Sequence, residues 1–399
     1  MGQTTDWIKK ENQFCAPNYH PLSVVLTKGE GVWLWDIEGN KYLDMMSAYS
    51  AVSHGHSHPR LVKALSDQAK KLCIPSRAFY NDQLAPFLEK LCQMCQLEMA
   101  LPMNTGAEAV ETAIKAARRW AYEVKKVPDN QAEIITANNN FHGRTVTITS
   151  FSTEPDYRRH FGPFTPGFKN VPFGDAQAIE AAITPNTAAV LVEPMQGEAG
   201  IIIPPKGWLK AVREICDKHN VLLLLDEIQT GLGRTGALFA FEHEGIKPDG
   251  LILGKALGGG MMPISAFVST KEVLSLMKPG SHGSTFGGNP LAGSVGLEAL
   301  KVLEEDNYAQ RAQQLGDQWM QALSAIEHPG IKEVRGKGLW IGIECDSAIL
   351  DARRLCEQLM RFGILAKEVH ETVVRLAPPL IIEAQALEHA TATLKKCLP

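Results

Sequence analysis

Short aliphatic runs alternate along most of this chain with longer stretches whose apolar residues recur at helical spacing. Residues 133–136, 188–193, 221–226, 251–254 and 264–268 are too short for helices and rich in aliphatic or β-branched side chains. Residues 208–219, lying between two of these runs, repeat their apolar positions every three or four residues, and residues 61–72, 108–124 and 290–304 read as helices too. Strands apolar on both faces, separated by helices, predict an α/β fold with a mostly parallel sheet covered on both sides.

The two ends of the chain read differently. Residues 32–36 and 41–44, joined by Glu38-Gly39-Asn40, predict a β-hairpin. A strand over 99–103 leads through Asn104-Thr105-Gly106 into the 108–124 helix. After Pro329 the pattern predicts strands over 331–335 and 339–344, a helix over 349–362, strands near Ile364 and Val373, and a last helix. That is a smaller α+β domain. The expected division is an N-terminal segment, 1–52, packing on the small domain; a large domain, 53–310; and the small domain, 311–399.

The 399 residues include 45% hydrophobic and 21% charged positions, ordinary for a soluble globular protein. Net charge is −4, from 40 basic and 44 acidic residues, which gives no support for nucleic acid or an anionic membrane as a partner. The first eleven residues lack a signal-like apolar core, and no stretch approaches the ~20 apolar residues of a membrane span. Eight cysteines in a chain this long do not make a disulfide framework, and a cytoplasmic location is expected.

The candidate chemistry begins at Lys255, an amine just past the 251–254 strand with Gly258-Gly259-Gly260 behind it. A desolvated lysine loses its proton readily and can attack a carbonyl. Asp226 ends the neighbouring apolar run 221–225. A carboxylate there would keep the pyridine nitrogen of pyridoxal phosphate protonated, so that the ring accepts electrons.

Three glycine-rich stretches compete for a phosphate. Gly231-Leu232-Gly233-Arg234-Thr235-Gly236 matches the dinucleotide fingerprint, but no helix start follows it, and it reads as a plain loop. Residues 250–255 resemble a P-loop with the wrong glycine spacing and Ala256 in place of the required hydroxyl. Thr105-Gly106-Ala107, between a strand and a helix, is open between an ordinary threonine cap and a phosphate site at a helix N-terminus. Ser284 and Thr285 read as caps of the following helix or as phosphate donors.

Other residues carry weaker signals. Gln229 follows Asp226 at the mouth of a buried strand. Phe141-His142-Gly143-Arg144 puts an aromatic ring beside a cation. Arg375, between valines and the Pro378-Pro379 pair, reads as a half-buried arginine in want of a carboxylate. His54, His56 and His58 alternate around a turn with no completed ligand shell, so no metal is expected.

Taken in order, Asn104-Thr105-Gly106, Phe141-His142-Gly143-Arg144, Glu193-Pro194-Met195-Gln196-Gly197-Glu198, Leu225-Asp226-Glu227-Ile228-Gln229, Gly254-Lys255 and Gly283-Ser284-Thr285 resemble the class III pyridoxal-phosphate aminotransferases of fold type I. Asn18-Tyr19-His20-Pro21, Ser47-Ala48-Tyr49-Ser50 and Gln196-Gly197-Glu198-Ala199-Gly200 resemble the branch of that class that acts on ornithine. The resemblance implies transfer of the δ-amino group of ornithine to 2-oxoglutarate, giving glutamate and a semialdehyde that cyclises to pyrroline-5-carboxylate. It also implies site roles. Lys255 would form the imine and shuttle a proton, and Asp226 would pair with the ring nitrogen. Phe141 would stack on the ring, Gln229 would bond its phenolic oxygen, and Thr105, Gly106 and Ala107 would form the phosphate site. Ser284 and Thr285 would reach the phosphate of a neighbouring subunit, which makes a homodimer with an interfacial site. Tyr19 and Arg144, with Tyr49 nearby, would hold the ornithine carboxylate. Arg375 would bind the α-carboxylate of 2-oxoglutarate, and Glu198 would mask it while ornithine is bound. The alternatives are another ω-aminotransferase, for N-acetylornithine or 4-aminobutyrate, and a nicotinamide-dependent oxidoreductase using Gly231–Gly236.

Overall fold

The buried runs become the strands of one seven-stranded sheet. In the computed structural model, which describes residues 2–399, its order is Met99–Met103, Ser265–Ser269, Gly250–Leu253, Leu222–Asp226, Thr187–Val192, Glu133–Ala137 and Phe168–Val171. The last five strands of that order pair in parallel, and Ser265–Ser269 runs antiparallel to both its neighbours. Every residue of Thr187–Val192, Leu222–Asp226 and Gly250–Leu253 is buried. Alternation explains how one sheet holds two cores. Leu222, Leu224 and Ile252 join Ala109, Ala113 and Ala117 of the Gly106–Glu123 helix on one face. Leu223, Leu225, Leu251 and Leu253 join Trp208, Leu209 and Val212 of the Trp208–His219 helix on the other.

Two four-stranded sheets lie beyond it. Ile331–Gly336, Ile341–Cys345, Val373–Leu376 and Lys367–Val369 form an antiparallel sheet with Arg375 on an inner strand, opposite Gly342 and Lys367. Leu26–Glu30, Trp33–Asp36 and Lys41–Asp44 form the N-terminal meander, and Ile364–Leu365 adds to it in parallel, Ile364 beside Leu43. The strand near Ile364 thus belongs with the N-terminal hairpin rather than with its sequence neighbours.

Several elements differ from expectation. The 349–362 helix is shorter, Ala352–Arg361, because Asp351 caps it by accepting from the Arg354 amide. The edge strand Phe168–Val171 was not anticipated: Lys169 and Asn170 give it no apolar run. Nor was the helix Tyr308–Ser324, whose buried Tyr308, Ala312, Gly316, Trp319 and Leu323 are diluted by glutamines.

That helix also explains the glycines of the dinucleotide-like run. Residues 231–239 form turns and bends with no helix start. A Cβ on Gly236 would lie 3.0 Å from Cα of Gln313 in the Tyr308–Ser324 helix, and one on Gly338 would lie 2.5 Å from the Thr235 carbonyl carbon. A Cβ on Gly316, in turn, would overlap the Gly338 carbonyl. These glycines let backbone pack on backbone, and none is needed for a phosphate. Gly316→Ala should therefore lower stability by roughly 1–3 kcal/mol, the usual cost of overpacking. Urea unfolding followed by circular dichroism measures this, and an unchanged midpoint would contradict the packing account.

Candidate active site

Register brings the amine and the acid together. Asp226 pairs with Ile252 across parallel neighbours, so the carboxyl ends of both strands lie level and Lys255 follows three residues later. Open sheets bind ligands at this edge. Lys255 starts a single 3-10 turn with φ of +44°, a left-handed conformation unusual for a long side chain. Its amine makes no hydrogen bond among the described residues. Gly106, Ala107, Phe141, Asp226, Gln229 and Lys255 line a cavity of about 200 Å³. Lys255 and Gly106 also border a second cavity of about 360 Å³, walled by Ala48, Ala51 and Thr105.

The electrostatics are set by burial. Desolvation, with the Arg375 guanidinium close by, lowers Lys255 to about 7. Asp226 is 4% exposed; its Oδ2 meets Nδ1 of buried His142 at 2.6 Å and its Oδ1 accepts from the Ile228 amide at 3.0 Å. Burial alone would lower His142, but the hydrogen bond and charge of Asp226 outweigh it and raise the imidazole. Nε2 of His142 is buried without a partner. Glu193, at the end of Thr187–Val192, is pushed up to about 7 by burial. Its carboxylate accepts from the amides of Phe141 at 3.0 Å and Gly197 at 3.4 Å, joining the loops that carry Arg144 and Glu198.

Arg375 does meet a carboxylate. Nη1 reaches Oε1 of Glu198 at 2.7 Å, Nη2 reaches Oε1 of Gln229 at 2.5 Å, and Nε2 of Gln229 donates to Glu198 at 2.9 Å. Arg375 is 2% exposed. Burial opposes the charge on Glu198, yet Arg375 prevails and holds it near 2. Gln229 is thus engaged on both sides of this pair, a partnership the sequence did not suggest.

The remaining expected residues fall in three places. Thr105 caps the Gly106–Glu123 helix in a capping box with Glu108, while the amides of Gly106 and Ala107 find no protein acceptor. The threonine-cap reading of this turn is borne out, and the two amides stay free for an acceptor from outside the chain. Ser284 accepts from Asn104 Nδ2 at 2.8 Å and from the Gly287 amide at 3.1 Å, and Thr285 is exposed. Neither caps the next helix; Asn289 does, which corrects that expectation. Arg144 is exposed, stacked 3.8 Å from the Tyr157 ring, with no carboxylate partner among the described residues. Tyr19 is 73% exposed, and Tyr49 lies 5.5 Å from Arg375, ring centroid to guanidinium carbon. Tyr49 sits in a left-handed run, Ser47–Ser50, which costs roughly 1–2 kcal/mol per residue. The contact of His142 with Asp226 and the burial of Glu193 were not evident from sequence, although Glu193 shares the signal that marked Asp226: a carboxylate closing a fully buried strand.

This arrangement has close counterparts. Residues 14–398 match the model of the aminotransferase class III family. The chain belongs to the class III aminotransferases. The ornithine aminotransferase of Brevibacillus brevis is 58% identical over 398 residues, covering 100% of this chain and 99% of that protein. Among solved structures, the ornithine aminotransferase of Toxoplasma gondii has a TM-score of 0.98 at 45% identity, covering 100% of this chain and 95% of its own. The acetylornithine aminotransferase of Elizabethkingia anophelis has a TM-score of 0.92 at 48% identity, covering 100% and 99%. The fold is therefore that of a class III, fold type I transferase, and the Gly231–Gly236 dehydrogenase reading is set aside.

An amine lowered to about 7 should react with a small aldehyde near neutrality. Reductive methylation of the cofactor-free chain, followed by mass spectrometry of the Lys255 peptide, should show half-maximal labelling near pH 7. A midpoint close to that of an ordinary lysine, ~10.4, contradicts the desolvation account.

Proposed function

We propose that this chain binds pyridoxal phosphate and transfers the δ-amino group of L-ornithine to 2-oxoglutarate. The products are glutamate and glutamate-5-semialdehyde, which cyclises to pyrroline-5-carboxylate. The observation that carries the reading is the Arg375–Glu198 pair, a buried arginine masked by a carboxylate beside an amine that loses its proton near neutrality. The relatives named for ornithine support the substrate.

The site fits the cofactor. The unclaimed amides of Gly106 and Ala107 suit a phosphate at a helix N-terminus, and Phe141 offers a ring face in the same cavity as Asp226 and Lys255. When bound, pyridoxal phosphate supplies an aldehyde for the amine and a ring that accepts the electrons left when the substrate carbon loses its proton. Asp226, kept in place by His142 and the Ile228 amide, would hold the proton on the ring nitrogen. Gln229 keeps one amide hydrogen free for the ring oxygen while its other groups engage Arg375 and Glu198. Lys255, in the same cavity, would move the proton at the reacting carbon.

Substrate choice follows from charge pairing. With Glu198 on Arg375, the α-carboxylate of ornithine is directed to Tyr19 and Arg144, beside Tyr49, and its δ-amine faces Lys255. When Glu198 swings away, Arg375 takes the α-carboxylate of 2-oxoglutarate or glutamate. A carboxylate that masks a site excludes the wrong partner as well as admitting the right one.

We further propose a homodimer in which Ser284 and Thr285 of each copy complete the phosphate site of the other; the exposure of Thr285 and Phe286 supports this. The proposed domains are 1–52, 53–310 and 311–399. A cytoplasmic setting is supported by eight free cysteines; no helix among the described residues is long and apolar enough to cross a membrane.

The 48% identity to an acetylornithine enzyme keeps that substrate as the second reading. Ornithine added alone to the cofactor-loaded chain should abolish its visible absorbance and yield pyrroline-5-carboxylate. Bleaching by N-acetylornithine but not by ornithine selects the second reading. In Glu198→Ala, with Arg375 permanently unmasked, the ratio of kcat/KM for ornithine to that for glutamate should fall by roughly tenfold or more. An unchanged ratio removes Glu198 from the gate.

A further inference from the structure

The turn that presents Tyr49 is held by something outside itself. Ser47, Ala48, Tyr49 and Ser50 have φ of 48°, 47°, 60° and 71°, with no glycine among them. Such a run persists only where its surroundings over-determine it. Its own serines do not serve, because the hydroxyls of Ser47 and Ser50 are buried without partners.

Asp44 does serve. It ends the Lys41–Asp44 strand, is 3% exposed, and uses both carboxylate oxygens. Oδ1 accepts from the amides of Met46 and Ser47, each at 2.8 Å, where the turn begins. Oδ2 meets Nε2 of His56 at 2.7 Å. His56 is itself fixed by a pair of backbone hydrogen bonds with Gly31, at 3.0 and 2.7 Å. The carbonyl of Met45 accepts from the Ala377 amide at 2.7 Å, two residues beyond Arg375. The segment presenting Tyr49 is therefore tied both to the hairpin and to the strand that presents Arg375.

The consequences reach both halves of the site. Tyr49 lies against Arg375, and Ala48 walls the cavity that Lys255 borders. Asp44 and His56 line neither cavity, so they act through the turn. We propose that Asp44 and His56 are positioning residues for substrate selection: by clamping the left-handed turn they set Tyr49 beside Arg375 and determine which amine of ornithine reaches Lys255. This rests on the ornithine reading above.

Regioselectivity reads the clamp directly. Transfer from the δ-carbon gives pyrroline-5-carboxylate, whereas transfer from the α-carbon gives 2-oxo-5-aminopentanoate, which cyclises to pyrroline-2-carboxylate. Misplacing a binding group by ~1 Å can cost a large factor, so Asp44→Ala in the cofactor-loaded enzyme should lower the ratio of the two products by about tenfold or more. Its half-reaction with glutamate should fall by a smaller factor than that with ornithine, because the substitution removes no direct contact of Arg375 or Lys255. Asp44→Asn keeps an acceptor for the two amides and a donor toward His56, and should retain the parental ratio. Adding Ala48→Gly to Asp44→Ala relieves the left-handed strain and should restore part of it. Should Asp44→Ala fail to fold, His56→Ala removes one arm of the clamp and should lower the same ratio by a smaller factor.

An unchanged product ratio in folded Asp44→Ala, or in His56→Ala in its place, overturns the proposal. So does an equal loss in the ornithine and glutamate half-reactions, which marks general damage. A parent enzyme that makes no pyrroline-5-carboxylate overturns the ornithine reading and the clamp together; a selective parent with unaltered variants overturns the clamp alone.

Discussion

An ammonium group taken out of water is unfavourable, and the rest of the site follows from that constraint. Desolvation, with the positive charge of Arg375 acting in the same direction, makes the neutral form of Lys255 available near pH 7. Arg375 then needs a carboxylate of its own, and Glu198 supplies it at 2.7 Å. Burial thereby does two things: it keeps the amine nucleophilic, and it holds Arg375 and Glu198 to each other.

No single sheet can build this. Lys255 and Asp226 come from the carboxyl edge of the seven-stranded sheet, Arg375 from an inner strand of the C-terminal antiparallel sheet, and the Tyr49 turn follows the last strand of the N-terminal meander. Backbone and buried polar contacts fasten the three. Arg234, 1% exposed, spans them by donating to the carbonyls of Leu339 and Pro378 and to the Ser53 hydroxyl. Arg335 reaches from the C-terminal sheet to the carbonyls of Gly200 and Ile201, just beyond Glu198. The loop of Glu198 and the strand of Arg375 are thus anchored to the same sheet.

How far the sequence reveals this depends on the range of the forces involved. Lys255 and Asp226 were legible because each closes a strand that apolar residues announce locally. The capping box at Thr105 was legible because its partner, Glu108, is three residues away. The pairings of His142 with Asp226, of His56 with Asp44 and of Gln229 with Arg375 span 84, 12 and 146 positions, and no periodicity encodes them. The resemblance to class III enzymes named the residues of the gate but not the contacts of Gln229. The glycines of 231–236 misled in the other direction, since close backbone packing and phosphate binding call for the same residue. The left-handed turn at Ser47–Ser50 gave no local sign, because none of its residues favours that conformation.

The central claim is that the δ-nitrogen, and not the α-nitrogen, leaves ornithine. Ornithine labelled with nitrogen-15 at the δ position, incubated with the cofactor-loaded enzyme and 2-oxoglutarate, tests it without reference to any variant. The account predicts that the label appears in glutamate and that the cyclised product carries none. Unlabelled glutamate, with the label retained in the ornithine-derived product, would contradict it.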